Sequence, residues 1–236
     1  MKIIILSITQ YKEKDGIIDA VTETGVTSFT VKGIFDPKSK FAALNNVMTI
    51  ADVEFGDSRY KYPVVKSYTL IESPMRGHND IHYLGSLMFI NEVTKKMMQD
   101  EEKVLMFKHL YAALISLKGQ REPWMILLIY LANVFKVTGY DFSVTGCVFC
   151  QKRTDIRAFS LNDGGFVCGD CLTEDIERVF NNEQMLLIRS AFLATDYAHV
   201  SEHCTPQNAI FVLDKFIEFI HENFGIEITS FTLLKK

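Results

Sequence analysis

Cys147-x-x-Cys150 and Cys168-x-x-Cys171 are separated by seventeen residues. Each Cys-x-x-Cys turn can aim two thiolates at one point, and two such turns complete a tetrahedral site. Four sulfur ligands favour a single structural Zn2+; an Fe–S centre or a metal-free pair of turns is the other way to use the spacing. A closed four-thiolate zinc site leaves no position for water or substrate. It would hold structure and perform no reaction.

The second chemical pattern is basic and aromatic. Arg59-Tyr60-Lys61-Tyr62-Pro63-Val64-Val65-Lys66 carries three cations and two tyrosines without an acid. On a strand, Arg59 and Lys61 share one face and Tyr60 and Tyr62 the other. Such a strand can contact phosphates and stack bases, or it can bury its tyrosines and leave its cations solvated. Lys32, Lys38 and Lys40 form a second basic group, which Gly33 and Pro37 place on a loop. Loop lysines can follow a nucleic-acid backbone or simply face solvent.

Other reactive residues lack company. His78 and His82 are spaced i, i+4, as are His199 and His203 if that segment is helical, but no third ligand follows either pair. Ordinary surface or capping roles account for them. Cys204 stands alone. Trp124 follows Pro123 at a helix start, where packing against the N-terminal strands is the expected role. The chain has no Gly-x-x-x-x-Gly-Lys loop, no Gly-x-Gly-x-x-Gly and no His-Glu-x-x-His. A zinc deaminase needs Pro before its Cys-x-x-Cys, and Gly146 stands there instead. These patterns point away from an enzyme.

The elements that must position these residues change character near residue 75. Up to Glu72, runs at Ile3–Ile8, 16–23, 27–33, 47–55 and 62–71 read as strands, enough for a small closed or nearly closed barrel. Ser73 to Asn79 reads as a linker. Helical periodicity follows, through Ile81–Met97, through Val104–Leu117 and from Pro123 to Gly139. The third helix is apolar nearly all round and should be central to its domain. After the cysteines, Asn182 can cap a helix over 183–195, and Thr205-Pro206 can start another that ends before Gly225.

The chain has 236 residues, 48% hydrophobic, with a net charge of −4. That charge excludes coating nucleic acid by bulk attraction, so any such contact must be local. Through Glu72, nine Lys or Arg balance nine Asp or Glu. The apolar residues after Lys2 are too few for a secretory signal, and the run Met125–Ala132 is far short of the ~20 residues of a membrane span. Five cysteines, four of them in metal spacing, suit a reducing compartment. A soluble protein of the cytoplasm, with no membrane contact, is expected.

In order along the chain stand a β-rich start, Lys32-Gly33-Ile34-Phe35-Asp36-Pro37-Lys38-Ser39, an apolar helix, Gly139-Tyr140, Cys147-x-x-Cys150, Phe159-Ser160, and Gly164-Gly165-Phe166-Val167-Cys168-x-x-Cys171. This succession covers nearly the whole chain and resembles the RecO family of bacterial recombination mediators and DNA repair proteins. The resemblance implies an α+β architecture: an OB-fold β-barrel over 1–73, then an all-helical domain over 80–236 with a zinc finger inserted at about 140–175. It implies binding of single- and double-stranded DNA, annealing of complementary strands, and action at the bacterial nucleoid. The implied partners are RecR, the tail of the single-strand-binding protein and, indirectly, the RecA recombinase. On such a barrel the candidate DNA contacts, read from local charge and aromatic patterning, are Lys32, Lys38, Lys40, Arg59, Tyr60, Lys61, Tyr62 and Lys66. One departure stands out: Ile34-Phe35-Asp36 occupies a stretch that is often Arg-rich in the family. A zinc-stabilised protein-interaction adaptor with little DNA affinity is therefore the alternative reading.

Overall fold

β1 (Lys2–Tyr11) is the strand on which the N-terminal half is built. Ile3, Ile4, Ile5 and Leu6 are all buried, although a strand turns successive side chains to opposite faces. Both faces of β1 are therefore covered. Ile3 and Ile5 point into the barrel, with Phe29, Val31 and Val53. Ile4 and Leu6 point the other way, into the core formed by the helices.

The structure is a computed structural model that describes residues 1–56, 62–73, 80–118, 120 and 122–235. β2 (Asp15–Val21), β3 (Val26–Val31), β4 (Ile50–Phe55) and β5 (Val65–Glu72) join β1 in an antiparallel sheet of order β3-β2-β1-β4-β5. The two edges then meet: Thr30 and Val64 form a parallel bridge, and the Thr30 N–H donates to the Pro63 carbonyl at 2.8 Å. Bulges between Ile5 and Ser7, and at both ends of the β4–β5 pairing, supply the curvature that closure needs. This is the five-stranded, partly open barrel of the OB-fold. Ile34, Phe41 and Leu44, from the connection between β3 and β4, fill its interior.

The helical half is α1 (Ile81–Met97), α2 (Asp100–Leu117), α3 (Trp124–Val137), α4 (Asn182–Leu193) and α5 (Pro206–Phe224). Their ends follow from local chemistry. Asp80 accepts the His82 and Tyr83 N–H groups, and Gln99 and Glu102 form a capping box. Thr205 caps α5 with Pro206 in its first turn, and Gly225 ends it at φ 66°. The cap of α4 is Asn181, not Asn182. The Asn181 side chain reaches the Gln184 N–H, and the Gln184 side chain accepts the Asn181 N–H in return. α3 is buried along nearly its whole surface and packs against the other four helices. Among the described residues, no helix is long and apolar enough to cross a membrane.

α2 carries the barrel, packing on β2 and β3. The Lys2 ammonium lies 5.1 Å from the centre of the Tyr111 ring, and Lys118 pairs with Glu72 at 2.8 Å. Between α3 and α4 the chain forms the hairpin of β6 (Ile156–Ser160) and β7 (Gly165–Cys168). At the C-terminus, a short turn over Ser230–Leu233 folds back on α1.

Candidate metal centre and nucleic-acid groove

The cysteine pairs sit on two turns brought face to face by the β6–β7 hairpin. In the first turn the Cys147 N–H donates to the Lys152 carbonyl at 2.8 Å, and the Gln151 N–H to the Cys147 carbonyl at 2.9 Å. In the second the Cys171 N–H donates to the Cys168 carbonyl at 3.2 Å. All four sulfurs lie within 4.8 Å of one another, and Cys150 and Cys168 are 3.6 Å apart. Metal–thiolate bonds of about 2.3 Å place tetrahedral sulfurs roughly 3.8 Å apart, so the set can hold one metal ion. Cys147 and Cys168 are buried, Cys171 is half-buried and Cys150 is exposed.

The thiols differ in acidity. Burial pushes Cys147 up, but N–H groups of Cys168, Cys150 and Phe149 outweigh it and bring the thiol to about 6. Cys171 is pushed up to about 12 by its hydrogen bond with Cys150 and by burial. Four thiolates this close repel one another, and a bound dication offsets that repulsion.

The hairpin is fastened to the helices by phenylalanines. Phe142 lies 5.3 Å from Phe135 of α3, 5.5 Å from Phe216 of α5 and 5.6 Å from Phe159 of β6, centroid to centroid. Gly165 bridges to Ser143 with φ 153°, and a side chain there would collide with the Ser143 backbone.

On the barrel, a groove of about 360 Å3 runs over β2 and β3. Tyr11, Lys12, Ile17, Thr30, Lys32 and Tyr62 line it. This face, beside the β1–β2 and β4–β5 loops, is where OB-folds take oligonucleotides. Of the residues singled out in the sequence, Lys32 and Tyr62 meet here. The groove adds Tyr11, 47% exposed, and Lys12, whose ammonium lies 5.3 Å from the Tyr11 ring centre. The exposed aromatic–lysine pair ending a strand was the available signal for both. Asp15 is the acid of the groove, and its carboxylate accepts the Gly33 N–H at 2.8 Å.

Lys40 and Lys66 form a separate pair. The Lys40 ammonium donates to the Lys66 carbonyl at 3.4 Å and lies 4.8 Å from the Phe41 ring centre, while the Tyr68 hydroxyl donates to the Lys40 carbonyl at 2.8 Å. Lys38 is exposed. Its N–H, with the Lys14 ammonium, holds the Asp36 carboxyl below the usual carboxylate range. Arg59, Tyr60 and Lys61 lie outside the described residues, as does His78.

The remaining candidates have structural partners. The His199–His203 segment is not helical: Asp196 accepts the preceding Ala198 N–H and Ser201 the His203 N–H, which holds the backbone in turns. His199 instead bonds Ser190 at 2.7 Å. Half-buried His82 packs edge-on against Trp124 of the helical core, 6.1 Å between centroids. The Cys204 thiol is pushed up to about 11 by burial and by Glu122. Near the cysteines, Lys152 pairs with Asp170 at 2.6 Å and Arg157 with Asp155 at 2.5 Å, which neutralises both cations. Among the described residues the four cysteines are the sole cluster of His, Cys, Asp or Glu able to hold a metal ion.

Residues 78–223 match the family model described as "Recombination protein O C terminal". The chain is 28% identical over 180 residues to the DNA repair protein RecO of Bacillus mycoides, covering 75% of this chain and 71% of that one. It is 27% identical over the same spans to the DNA repair protein RecO of Bacillus cytotoxicus and to that of Bacillus anthracis.

Proposed function

The chain belongs to the RecO family of DNA repair and recombination proteins, and from that premise we propose that it binds single strands across the barrel groove and anneals complementary DNA without catalysis. The observation that carries this is the meeting of Lys12 and Lys32 with Tyr11 and Tyr62 on the OB face. Lysines neutralise phosphates and release counterions, and tyrosines offer faces on which any base can stack. Such a surface holds strands without reading sequence, which is what annealing requires. By residue type, Arg59 and Lys61 would add phosphate contacts and Tyr60 a stacking face, and Lys38, Lys40 and Lys66 would add further phosphate contacts.

Labour is divided between the two parts of the chain. The barrel over 1–73 engages DNA, duplex as well as single-stranded, and the helical part over 80–236 engages proteins. Those are RecR and the tail of the single-strand-binding protein, from whose complex with DNA the strand is passed to RecA in the bacterial cytoplasm. Cys147, Cys150, Cys168 and Cys171 would hold one zinc ion. It supplies folding energy to the hairpin and leaves every coordination position filled by protein.

Measuring single-strand affinity at two salt concentrations, together with annealing of complementary oligonucleotides in the absence of nucleotide, tests the reading. Binding that weakens with salt and accelerated annealing support the mediator. Absence of binding at both salt concentrations would overturn it in favour of an adaptor.

A further inference from the structure

We propose that the cleft between the metal-bearing hairpin and α5 docks a cationic polypeptide segment anchored by an apolar side chain. The cleft measures about 1170 Å3, above the roughly 300–1,000 Å3 typical of small-molecule pockets. Leu161, Ile176, Phe180 and Phe211 line it, and Phe149, 54% exposed, stands at one edge. Asp163, Asp175, Glu177, Glu218 and Glu222 bring five carboxylates to the same cleft, against Arg178 and Lys215.

Part of that charge is already satisfied. Glu218 pairs with Lys215 at 2.7 Å, the Lys215 ammonium lies 5.8 Å from the Phe211 ring centre, and Asp163 accepts the Ser160 hydroxyl at 2.6 Å. The carboxylates of Asp175, Glu177 and Glu222 have no hydrogen-bond or ion-pair partner among the described residues, although Glu177 lies within the field of the Lys215 ammonium. Glu218 and Glu222 also stand i, i+4 on α5, a spacing at which like charges destabilise a helix.

The sign of this field selects the occupant. It repels phosphates, so nucleic acid belongs on the barrel, and it attracts lysine and arginine. The apolar lining favours an apolar anchor, and exposed Phe149 offers a ring face to a cation. A basic segment of a partner protein meets all of these conditions, and its site is separate from the lysine-lined groove on the barrel.

The test uses the full chain and a short fluorescein-labelled peptide in which lysines and arginines flank one phenylalanine, read by anisotropy at two salt concentrations. A peptide with glutamates in place of the cations serves as control. The expected result is saturable binding of the basic peptide, weakened by salt and at least about fivefold weaker in the triple variant Asp175→Asn/Glu177→Gln/Glu222→Gln. Phe149→Ser, which leaves the charges intact, should also weaken binding. Circular dichroism and metal content matching the wild type establish that the variants are folded. Three results would overturn the proposal: no saturable binding, equal binding of the acidic peptide, or unchanged binding in either folded variant.

Discussion

Ile4 and Ile5 are neighbours in β1, both fully buried, yet they belong to different cores. Ile5 faces the barrel interior with Phe29 and Val31. Ile4 faces the helices, in the company of Leu6, Val21, Met48 and Ile50. The sheet is thus a wall shared by the barrel and the helical core.

This wall predicts how the halves behave apart. A fragment of residues 1–73 would expose Ile4, Leu6, Val21, Met48 and Ile50 as one apolar face. It should bind a hydrophobic dye and self-associate, whereas the full chain should do neither. In the full chain, Ile4→Ala and Ile5→Ala should each cost about 2–5 kcal/mol of stability, measured by denaturant unfolding. A monomeric, dye-negative fragment would show that the two parts do not depend on each other.

The metal centre predicts stoichiometry. Freshly purified protein should contain one zinc per chain by elemental analysis. Cys147→Ser should lose most of it and expose the β6–β7 hairpin to proteolysis, because structural zinc contributes about 10–16 kcal/mol in small domains. Less than about half a zinc per wild-type chain would count against the assignment.

The barrel groove predicts two distinct signatures. Lys12→Ala/Lys32→Ala should weaken single-strand binding for every sequence alike and reduce the salt slope by up to ~2 units, about one for each phosphate left without its lysine. Tyr11→Ala or Tyr62→Ala should cost ~1–3 kcal/mol per stacked base with little change in slope. Lys38→Ala/Lys40→Ala should reduce the slope without affecting stacking. Wild-type affinity in the Lys12/Lys32 variant at low salt would move the binding surface elsewhere.

Glu92 predicts a pH dependence. Partial burial pushes its carboxyl up, but hydrogen bonds from Lys96, Ser230 and Thr229 outweigh this and hold it at about 2, against an ordinary 4.5. A depressed carboxylate stabilises the fold above its unfolded value, and that contribution disappears as pH falls from about 4.5 to about 2. Glu92→Gln should therefore lose on the order of 2 kcal/mol at neutral pH and approach the wild type near pH 2. The same substitution should release the C-terminal turn from α1, seen as faster amide exchange at Ser230. An equal deficit at both pH values would separate the loss from ionisation.

The metal cluster, the β-then-α order, the buried third helix and the Thr205-Pro206 start of α5 were legible in the sequence. Each depends on residues close together along the chain: a two-residue spacer within each cysteine pair, period-two or helical alternation, a cap next to its first turn. Even there the adjacent Asn181 and Asn182 carry identical side chains, and the choice of cap depends on which backbone N–H groups are left without partners.

The functional surfaces depend on distance. Tyr11 and Lys12 join Lys32 and Tyr62 because Thr30 closes onto Val64, a contact made by strand edges far apart in sequence. Asp175 and Glu177 reach Glu218 and Glu222 because the Phe142 cluster lays the hairpin against α5. Alternation in β1 reveals two faces, but what covers each face follows from where α2 docks. Local spacing determines which elements form and which atoms can bind a metal. Barrel closure and helix packing determine which charges share a groove, since a field is set by distances in space.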